Sequence, residues 1–338
     1  MSGYRHASYA RSLAEFGTPR ELARSGGWIL ERPIDDPETD ADGGAHDAMG
    51  CYPLFVCSDW NALGADLDEM ASPRSSAGTA GRTPLVSLAL VADPFGNHDR
   101  RTLERCFADL VVPFKEHHVI DLERAPDTFV SRHHRKHARR ALRELSVTVC
   151  NDPPACLDDW MALHAELVAR HHIEGMRAFS RAAFAAQLTV PGAVVLRADM
   201  AGRPVGAQLW MVDGDVAYGH VLACSDAGYD HGAAYALYWS AIEHFAGKVR
   251  YCDIGAVPGA GDDAGGSGTD GLAQFKQGWS THTRTAYLCG RIFDQDRYHE
   301  LTRARGAQAS PYFPAYRAGE LTAAASAVSA VSHAAPMP

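Results

Sequence analysis

The sequence predicts a mixed α/β chain folded as two tandem domains, on three observations. At 338 residues the chain exceeds one ordinary core, so two domains of about 150 residues each are expected. Hydrophobic residues make up 46% and charged residues 22%, which is enough apolar material to fill two such cores. Apolar runs of strand length alternate with segments of helical period along most of the chain, the pattern of sheets covered by helices.

Composition also excludes several classes. No stretch approaches the roughly 18 uninterrupted apolar residues of a membrane span, and Met1-Ser-Gly-Tyr-Arg-His6 lacks a signal-peptide core; a cytoplasmic protein is expected. The eight cysteines show no paired-ligand spacing, which favours reduced, buried thiols over a disulfide frame. A net charge of −9 argues against non-specific coating of nucleic acid and against stable DNA binding. There is no internal repeat, heptad pattern or Walker loop.

The elements follow in order. Residues 35–48 are acidic and small and predict an exposed insert, and residues 71–83 predict a second flexible connection. Between them Tyr52–Cys57 reads as a short strand and Asn61–Met70 as a helix. Leu85–Val91 is an unbroken apolar run and therefore a buried strand, followed by a helix at Arg101–Phe107 and a strand near His117–Leu122. In the second half, helices at Leu157–His171 and Arg181–Leu188 precede a meander of Ala193–Met200, Pro204–Val212 and Asp215–Cys224. Asp213-Gly-Asp supplies the second hairpin turn. A helix at Gly232–Ala246, a strand at Val249–Ile254, a helix around Gly271–Gly278 and a strand at Thr283–Ile292 complete the pattern. This divides the chain into a first domain at 1–126, a basic connecting helix at 127–145, a second domain at 146–317, and a disordered Ala-rich tail at 318–338.

The connecting helix carries the first functional signal. Asp127 can cap it, and at about 100° per residue Arg132, Lys136, Arg139 and Arg143 fall within an arc of roughly 60°, flanked by Arg135 and Arg140. Val130, Ala138, Ala141, Leu142 and Leu145 lie on the other side. Such a face is either solvated or a phosphate-binding surface, for tRNA backbone or a nucleotide-linked acceptor.

The second signal is Asp270-Gly-Leu-Ala-Gln-Phe-Lys-Gln-Gly-Trp279, reached from the strand Val249–Ile254 through a glycine-rich loop holding Asp262 and Asp263. A lysine on a short helix beside an aromatic, under a flexible lid, can hold an activated acyl donor and steady the oxyanion formed on attack. Asp253, at a strand end, either orients an acceptor amine or accepts its proton, or else caps the next turn. Tyr218 and His220 alternate on one strand face and, with Asp262, are the acceptor-side candidates, although His220 also fits a satisfied core position. The pairs His117-His118, His133-His134 and His171-His172 lack the carboxylate or thiol companions of a metal site, so no metal is expected.

Three stretches carry a family likeness: Ser131-Arg-His-His-Arg-Lys-His-Ala-Arg-Arg-Ala-Leu-Arg143, Tyr218–His244 with its Tyr-Ala-Leu-Tyr-Trp run, and Asp253-Ile-Gly-Ala256 followed by Gly271–Trp279. Through them the chain resembles the Fem-type peptidyltransferases. These enzymes join an amino acid from aminoacyl-tRNA to an amine and carry two tandem acetyltransferase-fold (GNAT) domains. The resemblance implies Lys276 beside the reacting ester and Phe275 beside the terminal adenosine of the donor. It also implies charged tRNA as co-substrate, with Arg132, Lys136, Arg139 and Arg143 on its backbone, and no further cofactor. The implied acceptor is a cell-wall precursor or a peptide-like natural product. Gly255-Ala256 stands where the family commonly has two glycines, and there is no room for the long helical hairpin of the large Fem enzymes.

The alternative is an acyl-CoA-dependent N-acyltransferase. Its pyrophosphate turn would fall at Tyr229-Asp-His-Gly-Ala-Ala234. There Gly232 and Ala234 fit, but Tyr229 replaces a cation or amide and Asp230 brings negative charge toward the phosphates.

Overall fold

The computed structural model describes residues 3–35, 44–71, 85–257, 268–318 and 320, with residues 268–270 described by backbone alone. The elements begin with α1 (Ala7–Ser12), β1 (Thr18–Leu22), β2 (Gly27–Pro33), β3 (His46–Gly50), α2 (Leu63–Ala71), β4 (Leu85–Ala92), α3 (Arg100–Cys106) and β5 (Leu110–Asp121). There follow α4 (Pro126–Phe129), α5 (Arg132–Ala141), β6 (Ser146–Val149), α6 (Leu157–His171), α7 (Arg181–Gln187), β7 (Ala193–Met200), β8 (Arg203–Asp213) and β9 (Val216–Cys224). The last are α8 (Asp226–Asp230), α9 (Ala233–Phe245), β10 (Tyr251–Ala256), α10 (Gly268–Gln277), β11 (His282–Ile292) and α11 (Gln295–Ala304).

Internal contacts divide the chain into two units. One comprises the described residues of Met1–Ser12, Lys115–Ile173 and Ala178–Ala286, the other those of Leu13–Phe114, Glu174–Arg177 and Tyr287–Pro338. These limits do not coincide with breaks at 126 and 146, because β5 and β11 each lend residues to both units and the first twelve residues join the later strands.

In the first unit the strand order is β5-β10-β9-β8-β7-β6. Strands β6 to β9 form the expected antiparallel meander, and β10 runs parallel to β9 and antiparallel to β5. Gly214, at φ +56 in the β8–β9 turn, adopts the left-handed conformation a tight hairpin requires. Strand β8 is buried without interruption from Val205 to Met211, as a strand covered on both faces must be. Helix α9 buries Ala233, Ala236, Leu237, Tyr238, Ala241, Ile242 and Phe245, a stripe of helical period. That stripe shares one core with Ala217 of β9, Cys252 and Ile254 of β10, and Ala138 and Ala141 of α5. Each fully buried Leu or Phe there contributes about 1.5–3 kcal/mol. Alternation along β9 sends Tyr218 and His220 to the opposite face, against Tyr4, Tyr9 and Phe179.

The second unit holds β1-β2-β3-β4-β11 in that order, with β3 and β4 parallel and the remaining neighbours antiparallel. Its buried Asp47 is held by Arg32 at 3.2 Å, Arg317 at 2.9 Å and the Tyr316 hydroxyl at 3.2 Å, so the carboxylate is paired as burial demands.

Several expectations need correction. Tyr52–Cys57 is not a strand; only Phe55 bridges to Ala92. His46–Ala48, part of the expected acidic insert, belongs to β3. Asp127–Leu145 is not one helix: Val130 turns extended and is buried at 2% exposure, and Ser131 starts α5 anew. The cap is therefore Ser131, whose Oγ accepts from the His134 N–H at 3.1 Å, and not Asp127. Residues 72–84 and 321–338 of the expected flexible segments lie outside the described residues. All eight cysteines are free and seven are buried. Among the described residues no helix is long and apolar enough to cross a membrane.

Candidate active site

The site forms where β9 and β10 stop pairing. Their parallel ladder covers only Tyr251–Asp253 against Val216–Tyr218, and on the other side the β10–β5 register shifts between Asp253 and Ala256. Such an irregularity redirects side chains at a strand end. Gly255, at φ +76, makes the turn possible.

Asp253 is 2% exposed. Its carboxylate accepts from the His117 ring at Nδ1, 2.8 Å and 3.1 Å from the two oxygens, and from the Gly255 N–H at 2.8 Å. Lys276 points toward this strand end and donates from Nζ to the Ala256 carbonyl at 2.6 Å. A Cβ on Gly255 would come within 3.3 Å of that ammonium, so the glycine leaves it room. Burial pushes the Lys276 pKa from 10.5 down to about 8; Asp253 opposes the shift and Lys115 adds to it. No described carboxylate forms an ion pair with Lys276. Its charge is held by a neutral carbonyl and remains available to an oxyanion.

Helix α10 is clamped onto the start of α5. His134 donates from Nε2 to the Phe275 carbonyl at 3.0 Å and accepts at Nδ1 from the Ser131 hydroxyl at 2.6 Å; this pattern of partners sets the tautomer. The Ser131 N–H donates to the Gly278 carbonyl at 2.9 Å. Phe275 is half-buried among the rings of His134, Tyr235 and Tyr238 at 5.1–5.4 Å, and Trp279 stacks on Tyr238. Beyond the clamp, Arg132, Lys136, Arg139, Arg140 and Arg143 are exposed and pair with no described carboxylate, while half-buried Arg135 donates to the Asp127 carbonyl at 2.8 Å.

The structure thus gathers Lys276, Asp253 and Phe275 at one strand end and joins them to α5 with Arg132, Lys136 and Arg139; Arg143, expected on the same helix, lies in the turn beyond its end at Ala141. Tyr218 neighbours Asp253 across the β9–β10 ladder, with its ring 5.3 Å from that of Tyr4. His220 is not brought to the lysine. It is held between the Tyr4 hydroxyl at 3.0 Å and Gln187 Oε1 at 3.1 Å. Asp262 lies outside the described residues. His117 and His134 escaped the sequence reading. Both stand in histidine pairs, and only strand register and helix packing show which member of each pair turns inward.

His220 makes a separate prediction. Burial, with His164 nearby, lowers its pKa from 6.5 to about 3. Below pH 6.5 the unfolded chain takes up a proton that the folded chain refuses, so stability falls as pH drops from 6.5 toward 3. The melting temperature of the His220→Gln variant should change less between pH 7 and pH 5 than that of the wild type. Equal changes would remove this histidine from the account.

Among the described residues, no group of three or more His, Cys, Asp or Glu side chains is arranged to hold a metal ion. Comparisons with known proteins bear on the fold. Residues 130–277 match the acetyltransferase (GNAT) domain family. No curated protein matches the sequence. The crystal structure of FemX shares the fold with a TM-score of 0.56 at 12% identity, covering 87% of this chain and 93% of that one. The C-terminal domain of a putative lysylphosphatidylglycerol synthetase from Agrobacterium fabrum gives 0.55 at 16% identity over 87% and 90%. L-PGS from Bacillus licheniformis gives 0.50 at 13% identity over 86% and 93%. The expected resemblance to Fem-type proteins therefore holds at the level of the fold, and the GNAT match falls on residues 130–277 of this chain.

Proposed function

We propose that the protein is an aminoacyltransferase that moves an aminoacyl group from charged tRNA to the amine of a peptide-like natural product or cell-wall precursor. The observation that carries this reading is the hydrogen-bonded clamp between α5 and α10. It ties a row of unpaired cations, suited to a phosphate backbone, to the helix bearing the half-buried Lys276. An aminoacyl ester is already activated, and an α-amine titrating near pH 8 is in part free base at neutral pH. What remains for the protein is proximity and a counter-charge for the tetrahedral oxyanion. Lys276 supplies the counter-charge, and Asp253 sits where an incoming amine can be oriented. The names of the structures sharing the fold, FemX and lysylphosphatidylglycerol synthetase, support aminoacyl chemistry as the class.

Acyl-CoA is the second reading, favoured by the GNAT domain itself. Against it, helix α9 starts behind Tyr229 and Asp230, both exposed, and His231 is hydrogen-bonded to Glu144. This places carboxylates where a pyrophosphate would dock. Calorimetric titration with charged tRNA and, separately, with acetyl-CoA distinguishes the two. Saturable acetyl-CoA binding without tRNA binding reverses the assignment.

If about four cations of α5 and the turn after it touch single-stranded phosphate, log affinity for charged tRNA should fall with log salt at a slope near −3. Replacing Arg132, Lys136, Arg139 and Arg143 with alanine should flatten that slope toward zero. A quadruple variant retaining the wild-type slope removes the helix from the donor site.

A further inference from the structure

His117 lies on β5 with Val119 on the same face, and its ring meets a carboxylate 136 positions away in sequence. Both Asp253 oxygens lie within 3.1 Å of Nδ1, so Nδ1 carries the proton and the lone pair of the neutral ring is on Nε2. No described residue hydrogen-bonds to Nε2, and the His117 side chain keeps 10% of its surface exposed. Lys276 and Lys115 are the neighbouring cations, and His118, Tyr238 and Cys252 are the other titratable groups close enough to feel Asp253 or His117. A base oriented by a buried carboxylate, beside a cation suited to an oxyanion, is the arrangement that proton-coupled acyl transfer requires.

We infer that His117 is the catalytic base toward the acceptor amine and that Asp253 is its positioning residue. The inference rests on the amide-forming reading above. The amine nitrogen bonds to the ester carbonyl carbon, and the π pair moves onto the oxygen beside Lys276. The surplus N–H proton passes to His117 Nε2, while the Nδ1–H stays on Asp253. On collapse the carbon–oxygen bond to the ribose breaks, its electron pair leaves with oxygen, and that oxygen takes the proton back from Nε2. Nothing is oxidised or reduced, and the pair returns to its starting state.

The test uses the full chain, tRNA charged with radiolabelled amino acids as donor and glycinamide as acceptor. His117→Gln should lower kcat by about 10²-fold with little change in KM for the donor, and its pH–rate profile should lose the limb the imidazole contributes. His117→Ala should regain rate on addition of imidazole, which a purely structural histidine would not allow. Asp253→Asn should move the same limb to lower pH, because the imidazolium loses its carboxylate; this variant decides the matter if neither histidine variant folds. Wild-type rate and profile in His117→Gln, or an unmoved limb in Asp253→Asn, overturns the inference and leaves the aminoacyl reading intact. Absence of any amide product from the wild type overturns that reading, and the inference falls with it.

Discussion

Lys276→Met is expected to lower the transfer rate at saturating donor and acceptor by about 10²-fold or more, the effect of losing one oxyanion partner. Methionine keeps the length and apolar body of the side chain, so the neighbouring rings stay packed and only the charge goes. Donor affinity should change little, because Arg132, Lys136, Arg139 and Arg143, the cations assigned to the donor backbone, are all retained. The pH dependence separates this role from simple packing. Lys276 holds its proton below about 8, so its contribution is present at neutral pH and fades as pH rises through that value. An acceptor α-amine titrating near pH 8 becomes reactive over the same range. The wild type should therefore show a maximum near pH 8 with a falling alkaline limb, and the methionine variant should lack that limb. Near-wild-type turnover, or an alkaline limb that survives in the variant, would remove Lys276 from the chemistry.

Gly278→Ala should be strongly destabilising. A Cβ at this position would stand 2.1 Å from Cε1, 2.4 Å from Nδ1 and 2.6 Å from Nε2 of His134. The ring cannot retreat without giving up Ser131 and the Phe275 carbonyl. Overpacking of this kind costs about 1–3 kcal/mol, and each lost hydrogen bond adds about 1 kcal/mol. For the unit of Met1–Ser12, Lys115–Ile173 and Ala178–Ala286, a lower melting temperature by about 2–4 °C per kcal/mol should follow, together with slower transfer as α10 shifts. Adding His134→Ala should recover part of the stability by removing the clash. A single variant as stable as the wild type would show that the ring does not sit tightly on the glycine.

How far this could be read from residues alone differs between the two halves of the chain. Strands β7, β8, β9 and β10 and helix α9 were legible to within about two residues, because unbroken apolar runs and glycine turns bound each one. Strands β1 to β3 were not. Gly27–Pro33 mixes Trp28 and Ile29 with Glu31 and Arg32, and β3 hides the charged Asp47 in its centre, so neither shows clean alternation. Helix α11 was missed because its mean character is polar and only Tyr298, Leu301 and Thr302 are buried. In the site, the Phe275-Lys276 pair is a local signal, and the sequence carried it. The contact of His117 with Asp253 depends on strand register across more than a hundred residues, and no local pattern encodes it.

Residues 3–5 have a consequence for how the protein folds. Gly3 bonds to the Pro191 carbonyl, Arg5 pairs with Asp213 at 2.6 Å, and Tyr4 reaches His220, so these residues find their partners only about two hundred positions further along the chain. Contacts this distant in sequence slow folding. An excised fragment limited to 130–277 would lack both this segment and β5, and with them His117.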